Sequence, residues 1–426
     1  MKKNTAEPDW FSDAKYGLFI HWGMYSLFGR GEQVLYREHL RPSDYRAMAE
    51  QFRPTHFDAR HWARVAKEGG MRYAILTAKH HDGFCMWDTR STAYCAARTG
   101  LRCDYVAAFL DAFREAGLRV GLYFSTADWS QPAYFAGPRR DPKGFRQFIE
   151  YTHEQVLELC SRYGCLDVLW FDGAWPYTPS EWRARRLIQE VRRLQPHILV
   201  NDRIGLRGDF ATPEQSIPEQ QFKPQRPWES CLTPTVKWWG YHAGVRWKTD
   251  LEAVRELCSV VEVGGNLLYN VGPMADGTLP PQFERLMQKV GAWLRLNGES
   301  IFGTTETICD TTTFGLMTCG RRSVYLHVLH WPGRQLRLAG LKSRVRSARF
   351  LATGKPLSFK QDSAAVAIIG LPSRAPDPRS TVIALDLDEP PRSHPWARER
   401  IWTGALDKTP EHSRRVAARM YRWSCT

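Results

Sequence analysis

The run RYAILTAKHHDG (residues 72–83) carries an apolar, strand-like segment straight into Lys79, His80, His81 and Asp82. Four consecutive polar side chains do not continue a strand buried on both faces. They belong at its end, facing solvent, a ligand or one another. The same grammar recurs along the chain in YGLFIHWG (16–23), LRVGLYFS (118–125), LDVLWFDG (166–173), HILVNDR (197–203) and GNLLYNVGP (265–273). Amphipathic segments separate several of these runs. HWARVAKEGG (61–70) and DYVAAFLDAFREAG (104–117) each stop at Gly, whereas FRQFIEYTHEQVLELCSRYG (145–164) and WRARRLIQEVRRLQP (182–196) lead into the next apolar run. Strand–helix alternation over nearly 300 residues, without a Gly-x-Gly-x-x-Gly fingerprint, predicts an α/β fold of the (β/α)8 TIM barrel type over residues 1–300. The stretch 205–260 offers no clear strand, so an irregular barrel is expected.

Beyond residue 300 the texture changes. SVYLHVLHWP, RQLRLAGL, AAVAIIGL and TVIALDLD are short strand-like runs broken by Gly, Pro and Ser, and they predict an antiparallel β-sandwich over 301–390. Residues 391–426 hold eight Lys/Arg against three Asp/Glu, a net of +5. Thr409-Pro410-Glu411 and the spacing of Val416, Met420 and Trp423 predict a basic C-terminal helix that docks on its own protein.

The whole chain of 426 residues carries a formal charge of +14. Its arginines are spread over helix-like segments such as SEWRARRLIQEVRRL, which suits a solvated helix face better than a nucleic-acid groove. No apolar run approaches the roughly 20 residues that span a bilayer. The start MKKNTAEPDWF has no apolar segment behind its lysines, so a cytoplasmic location is expected. Ten scattered cysteines without a C-x-x-C pair indicate reduced thiols rather than a zinc module. Seventeen tryptophans suit aromatic-lined clefts that stack on sugar rings, although core packing uses them too.

If the barrel reading holds, the strand ends form one ligand-binding face. His21 and Trp22, His80 and His81, Ser125 and Trp129, Asp172, and the trio Asn201, Asp202 and Arg203 then line a polar pocket rimmed by aromatics. Adjacent histidines on a strand point to opposite sides, and no H-E-x-x-H spacing is present, so a metal site is not expected. Hydrogen bonding to sugar hydroxyls is the better use of these imidazoles. Asp172 between Trp170, Phe171 and Gly173 is a carboxylate in an apolar neighbourhood, with Arg203 as its natural tuner. A second carboxylate would complete the pair that glycoside hydrolysis uses.

WFSDAKYGLFIHWGMYS, LTAKHHDGFCMWDT, VLWFDG, GDFATPEQ, PWESC and GGNLLYNVGPMADGTLP together resemble glycoside hydrolase family 29 α-L-fucosidases, over about residues 10–303. That resemblance implies a barrel followed by a β-sandwich, and retaining hydrolysis of terminal α-L-fucosides on oligosaccharides or glycoconjugates, without metal or cofactor. It makes Asp172 the nucleophile and Glu214 the acid/base, with Glu219 and Glu229 as alternatives. It implies that His21, His80, His81 and Glu32 grip hydroxyls, that Phe19, Tyr123, Trp170 and Trp239 form the aromatic shell, and that Arg203 stands beside the nucleophile. One departure is visible: GRGEQVLY has Gln33 and Val34 where an aromatic is expected after the glutamate. A fucose-binding protein without hydrolysis is the alternative, and nucleic-acid binding through the basic surface ranks below both. The loops that would read the aglycone carry no legible code for linkage, and a homo-oligomer is left open.

Overall fold

In the computed structural model, residues 10–220, 223–309 and 312–398 are described. The helix expected within 391–426 thus lies largely outside the described residues, beyond a 3₁₀ turn at Pro395–Arg398. The chain divides into two compact units, Met1–Gly303 and Thr304–Thr426.

The first unit is built on seven parallel strands among the described residues: β1 (Tyr16–Ile20), β2 (Tyr73–Lys79), β3 (Arg119–Ser125), β4 (Val168–Asp172), β5 (Leu199–Val200), β6 (Glu229–Leu232) and β7 (Asn266–Val271). Their order in the sheet is β5-β4-β3-β2-β1-β7-β6. Every residue of β1, β2, β4 and β7 is buried, as parallel strands covered on both faces require. The crossover helices begin at aspartate caps. Asp58 accepts from His61 N–H ahead of Ala59–Glu68, Asp104 from Ala107 N–H ahead of Tyr105–Glu115, and Asp141 from Gly144 N–H ahead of Pro142–Arg162.

The sheet curls on itself. Phe19, Ile75, Tyr123, Trp170, Cys231 and Leu268, from six strands, share one apolar cluster with Phe210 and with Phe11 of the N-terminal helix. Trp170 on β4 even donates from Nε1 to Glu229 Oε1 on β6 at 2.8 Å, although four strands separate them in sheet order. Isolated parallel bridges tie residues 210–214 to both edges: Asn201 with Phe210, Ala211 with Trp228, and Glu214 with Cys231.

This region is where the sequence reading fell short. HILVNDR gives a strand of two residues, because the Asn201 side chain takes over the pairing: its Oδ1 accepts from Phe171 N–H at 2.8 Å and its Nδ2 donates to Phe171 O at 2.9 Å. PWESC, which carries no apolar alternation, supplies β6.

The second unit holds two antiparallel sheets. One has the order β10 (Gln335–Ala339), β13 (Ala365–Ile369), β12 (Ser358–Gln361). The other runs β11 (Val345–Phe350), β14 (Thr381–Leu387), β9 (Ser323–Val328), β8 (Gly315–Cys319). Leu336, Leu338, Val366 and Ile368 of the first sheet join Val324, Leu326, Ile383 and Leu385 of the second in a common apolar cluster.

Candidate active site

The four polar residues that end β2 divide their tasks. Lys79 is fully buried, donating to Gln155 Oε1 at 2.8 Å and lying 3.5 Å from Asp128 Oδ2. Asp82 turns towards Tyr45, whose hydroxyl donates to it at 2.8 Å. His80 and His81 stand beyond the strand, where side chains no longer alternate, and both rings lie together with centroids 4.2 Å apart. The expectation that they diverge is thereby overturned. Among the described residues, no set of three His, Cys, Asp or Glu has the arrangement of a metal site.

Asp172 closes β4, and its carboxylate faces three neighbours. Tyr123 O–H donates to Oδ2 at 2.8 Å, Arg203 Nη1 lies 3.3 Å from Oδ1, and His81 Nε2 lies 3.8 Å from Oδ2. The Arg203 nitrogen that reaches Asp172 also donates to Glu214 Oε2 at 2.6 Å. Arg203 is itself held by Thr212, through Nε to the hydroxyl at 2.9 Å and Nη2 to the carbonyl at 3.0 Å, and it lies over the Trp170 ring at 4.7 Å. One nitrogen of Arg203 thus brings an oxygen of Asp172 and an oxygen of Glu214 to the same point.

The other two candidate glutamates occupy different settings. Glu229 is fully buried beneath Trp170, accepting from Tyr73 O–H at 2.6 Å and Trp170 Nε1 at 2.8 Å. Burial pushes its carboxyl up to about 7, against the pull of those two donors. Glu219 lies exposed on the loop after residue 215. Glu214, exposed but anchored on Arg203, is the one brought beside Asp172.

The imidazoles are held neutral and oriented. Burial drives His21 down to about 3 and His80 well below its ordinary value, and it also lowers His81 despite the opposing charge of Asp172. Asn270 Nδ2 donates to Trp239 O at 2.6 Å, which leaves its Oδ1 as an acceptor for His21 Nδ1–H at 2.7 Å. Ser125 O–H donates to Ala127 O, so its oxygen accepts from His81 Nδ1–H at 2.6 Å. Both networks place the free lone pair on Nε2. His80 stacks on Tyr123 at 5.6 Å, and its buried Nδ1 has no partner, which is unusual unless a ligand hydroxyl supplies one.

Phe19, Trp170 and Trp239 converge: Phe19 lies 5.1 Å from Trp170 and 6.0 Å from Trp239, while Trp239 stacks on His21 at 5.1 Å. Glu32 is buried, with Oε2 accepting from Trp239 N–H at 3.1 Å and Gly240 N–H at 2.9 Å. It therefore pins the segment that carries Trp239. Burial raises its carboxyl, while these backbone donors oppose the rise. Gln33 stands just before the short helix Val34–Arg37, and its side-chain oxygen accepts from Arg37 Nε at 3.0 Å. Asn270, which sets the His21 tautomer, was not singled out from the sequence. The polar strand-end rule applied to LLYN would have found it.

The family model for alpha-L-fucosidase matches residues 1–299. Tissue alpha-L-fucosidase of Rattus norvegicus is 30% identical over 356 residues, covering 76% of this chain and 77% of that protein. Plasma alpha-L-fucosidase of Homo sapiens is 30% identical over 392 residues, 83% of each. Among solved structures, alpha-L-fucosidase isoenzyme 1 from Paenibacillus thiaminolyticus superposes with a TM-score of 0.83 at 36% identity, covering 89% of this chain and 98% of that one. A GH29 alpha-L-fucosidase from Bacteroides thetaiotaomicron gives a TM-score of 0.82 at 29% identity over 88% of this chain and 95% of that one. That structure is a trapped covalent intermediate with 2-fluoro-fucosyl fluoride, obtained with a glutamate-to-glutamine mutant.

Proposed function

Because the chain belongs to the α-L-fucosidase family of glycoside hydrolases, we propose that it releases terminal α-L-fucose from glycans by a retaining, two-carboxylate route. The sheet of the first unit is then a (β/α) barrel whose eighth position is the bridged segment 210–214, and the second unit is a β-sandwich. Asp172, Glu214, Arg203, Trp239 and the three imidazoles sit at or beyond the C-terminal strand ends, where barrel enzymes bind their substrates, and Phe19, Tyr123 and Trp170 project from within the strands beneath them.

Asp172 attacks the anomeric carbon and forms a fucosyl ester, while Glu214 gives its proton to the departing glycosidic oxygen. Glu214 then takes a proton from water, which displaces Asp172 and restores the original configuration. For this, Glu214 swings from Arg203 to the leaving oxygen, a movement its side chain, 42% exposed, permits. Arg203 and Tyr123 keep the nucleophile aimed through their contacts with both of its oxygens. Neutral His21, His80 and His81 offer ring nitrogens to the sugar hydroxyls, and Phe19, Trp170 and Trp239 cover its apolar face and methyl group. Burying that one carbon contributes only about 0.8 kcal/mol, so hydroxyl geometry supplies most of the selectivity.

The observation that carries this reading is the single Arg203 nitrogen shared by Asp172 and Glu214. The trapped intermediate in the Bacteroides relative supports the covalent step. The test is labelling with 2-fluoro-fucosyl fluoride, followed by peptide mass mapping. The label is expected on the peptide containing LWFDG. A label elsewhere, or none on a protein that demonstrably turns over fucosides, overturns the mechanism.

A further inference from the structure

Two aromatic rings lie against His81 and a third extends their row, each from a different strand-to-helix connection, and the mechanism above uses none of them. Trp129, after β3, has its centroid 5.1 Å from the His81 ring. Trp175, after β4, lies 5.9 Å from the same ring, edge-on. Tyr36, on the helix Val34–Arg37 after β1, extends the row at 5.5 Å from Trp129. Tyr36 is 61% exposed and Trp175 58% exposed. Exposed aromatics scattered singly are ordinary; a row of them leading out of a reaction centre is not.

We propose that Tyr36, Trp129 and Trp175 form the platform on which the saccharide ring bearing the fucose stacks. The inference rests on the fucosidase reading and adds to it what the leaving group touches. His81 Nε2 is 3.8 Å from Asp172 Oδ2, so the row starts one ring away from the proposed nucleophile. The fucosyl group fills the buried part of the site, and whatever it is attached to must leave through the exposed part.

The chemistry of the lip favours a sugar as its occupant. Each ring offers an apolar face to the C–H side of a pyranose, while the sugar hydroxyls keep their water at a half-exposed edge. The backbones behind the rings are fixed. Trp129 N–H donates to His81 O at 2.7 Å, and Tyr134 O–H donates to Trp175 O at 2.9 Å. A platform held in place before binding loses little freedom when a ligand stacks on it.

The experiment compares two substrates on the full chain. α-L-Fucosyl fluoride has no saccharide leaving group. The second is whichever fucosylated trisaccharide the wild type hydrolyses best from a panel covering the α1,2, α1,3, α1,4 and α1,6 linkages. Trp175→Ala and Tyr36→Ala are expected to raise KM for the trisaccharide about 5–20-fold relative to KM for the fluoride, with Trp175→Phe restoring part of the difference. An unchanged KM ratio overturns the platform. So does a wild type that hydrolyses the fluoride and no trisaccharide. A wild type inert on the fluoride sinks the fucosidase reading itself, and the platform with it. A drop in molecular mass of Trp175→Ala by light scattering would reassign the rings to self-association and equally overturn the proposal.

Discussion

A single guanidinium singles out Glu214 as the proposed proton donor. Arg203 Nη1 touches Asp172 and Glu214, while Glu229 is spent beneath Trp170 on two donors of its own. Glu214→Gln should therefore lower kcat on fucosyl oligosaccharides by about 10²–10⁴-fold, because a sugar alkoxide leaves poorly without a proton. On fucosyl fluoride, whose leaving group needs little protonation, the first step should fall far less. Parallel kinetics on the two substrates measure this, and equal losses would remove Glu214 from the role. Glu229→Gln should show no such preference between substrates. The strand-end rule reached His21, His80, His81 and Asp172 from sequence, because a polar group after an apolar run is visible without coordinates. It could not rank Glu214, Glu219 and Glu229. All three lie in loop-like text; burial sets Glu229 apart, and the contact with Arg203 separates Glu214 from the likewise exposed Glu219.

At the scale of elements, the first strand of the parallel sheet and the loop that carries Trp239 are each held by one packing detail. Gly17 on β1 leaves the slot that the Tyr73 ring fills; a Cβ there would stand 2.3 Å from Tyr73 Cζ. Tyr73 cannot retreat freely, since its hydroxyl is bonded to Glu229. Gly17→Ala should therefore cost about 1–3 kcal/mol, read as a lowered denaturation midpoint. Glu32 acts on the loop: Glu32→Ala frees the amides of Trp239 and Gly240 and with them the ring stacked on His21. Its kcat/KM on fucosyl fluoride should fall by at least about tenfold, with Glu32→Gln, which keeps an acceptor, recovering most of it. Unchanged kinetics in Glu32→Ala would show that the loop needs no such anchor. The same level explains why 205–232 was the illegible part of the first unit. Asn201 replaces strand pairing with side-chain bonds, segment 210–214 touches both edges by isolated bridges, and β6 begins with Glu229 and Ser230. None of these leaves an apolar alternation to read, whereas β1–β4 and β7 are buried along nearly their whole length and announce themselves.

Across the whole molecule, burial of titratable groups sets opposing trends in stability with pH. Asp82 and Glu229 are pushed by burial from 3.8 and 4.5 to about 7 each. Such a carboxyl binds its proton more tightly in the fold, so its contribution is fully present below the unfolded value and is lost as pH rises through about 7. His21 is driven from 6.5 to about 3, and His80 and His81 are lowered too, again by burial first. Their contribution is present above about 6.5 and is lost as pH falls. Between roughly 4.5 and 6.5 the two sets offset one another, which hides each in the wild-type profile. Glu229→Gln removes one member of the acidic set while keeping a neutral, hydrogen-bonding group between Tyr73 and Trp170. Relative to wild type, this variant should gain stability steadily as pH rises from 4.5 to about 7 and then level off. The gain should reach about 3 kcal/mol, the free-energy equivalent of that displacement. Denaturation midpoints of both proteins at half-unit steps in pH measure the difference, and one that stays constant across that window would show that the carboxyl beneath Trp170 ionises as it does in water.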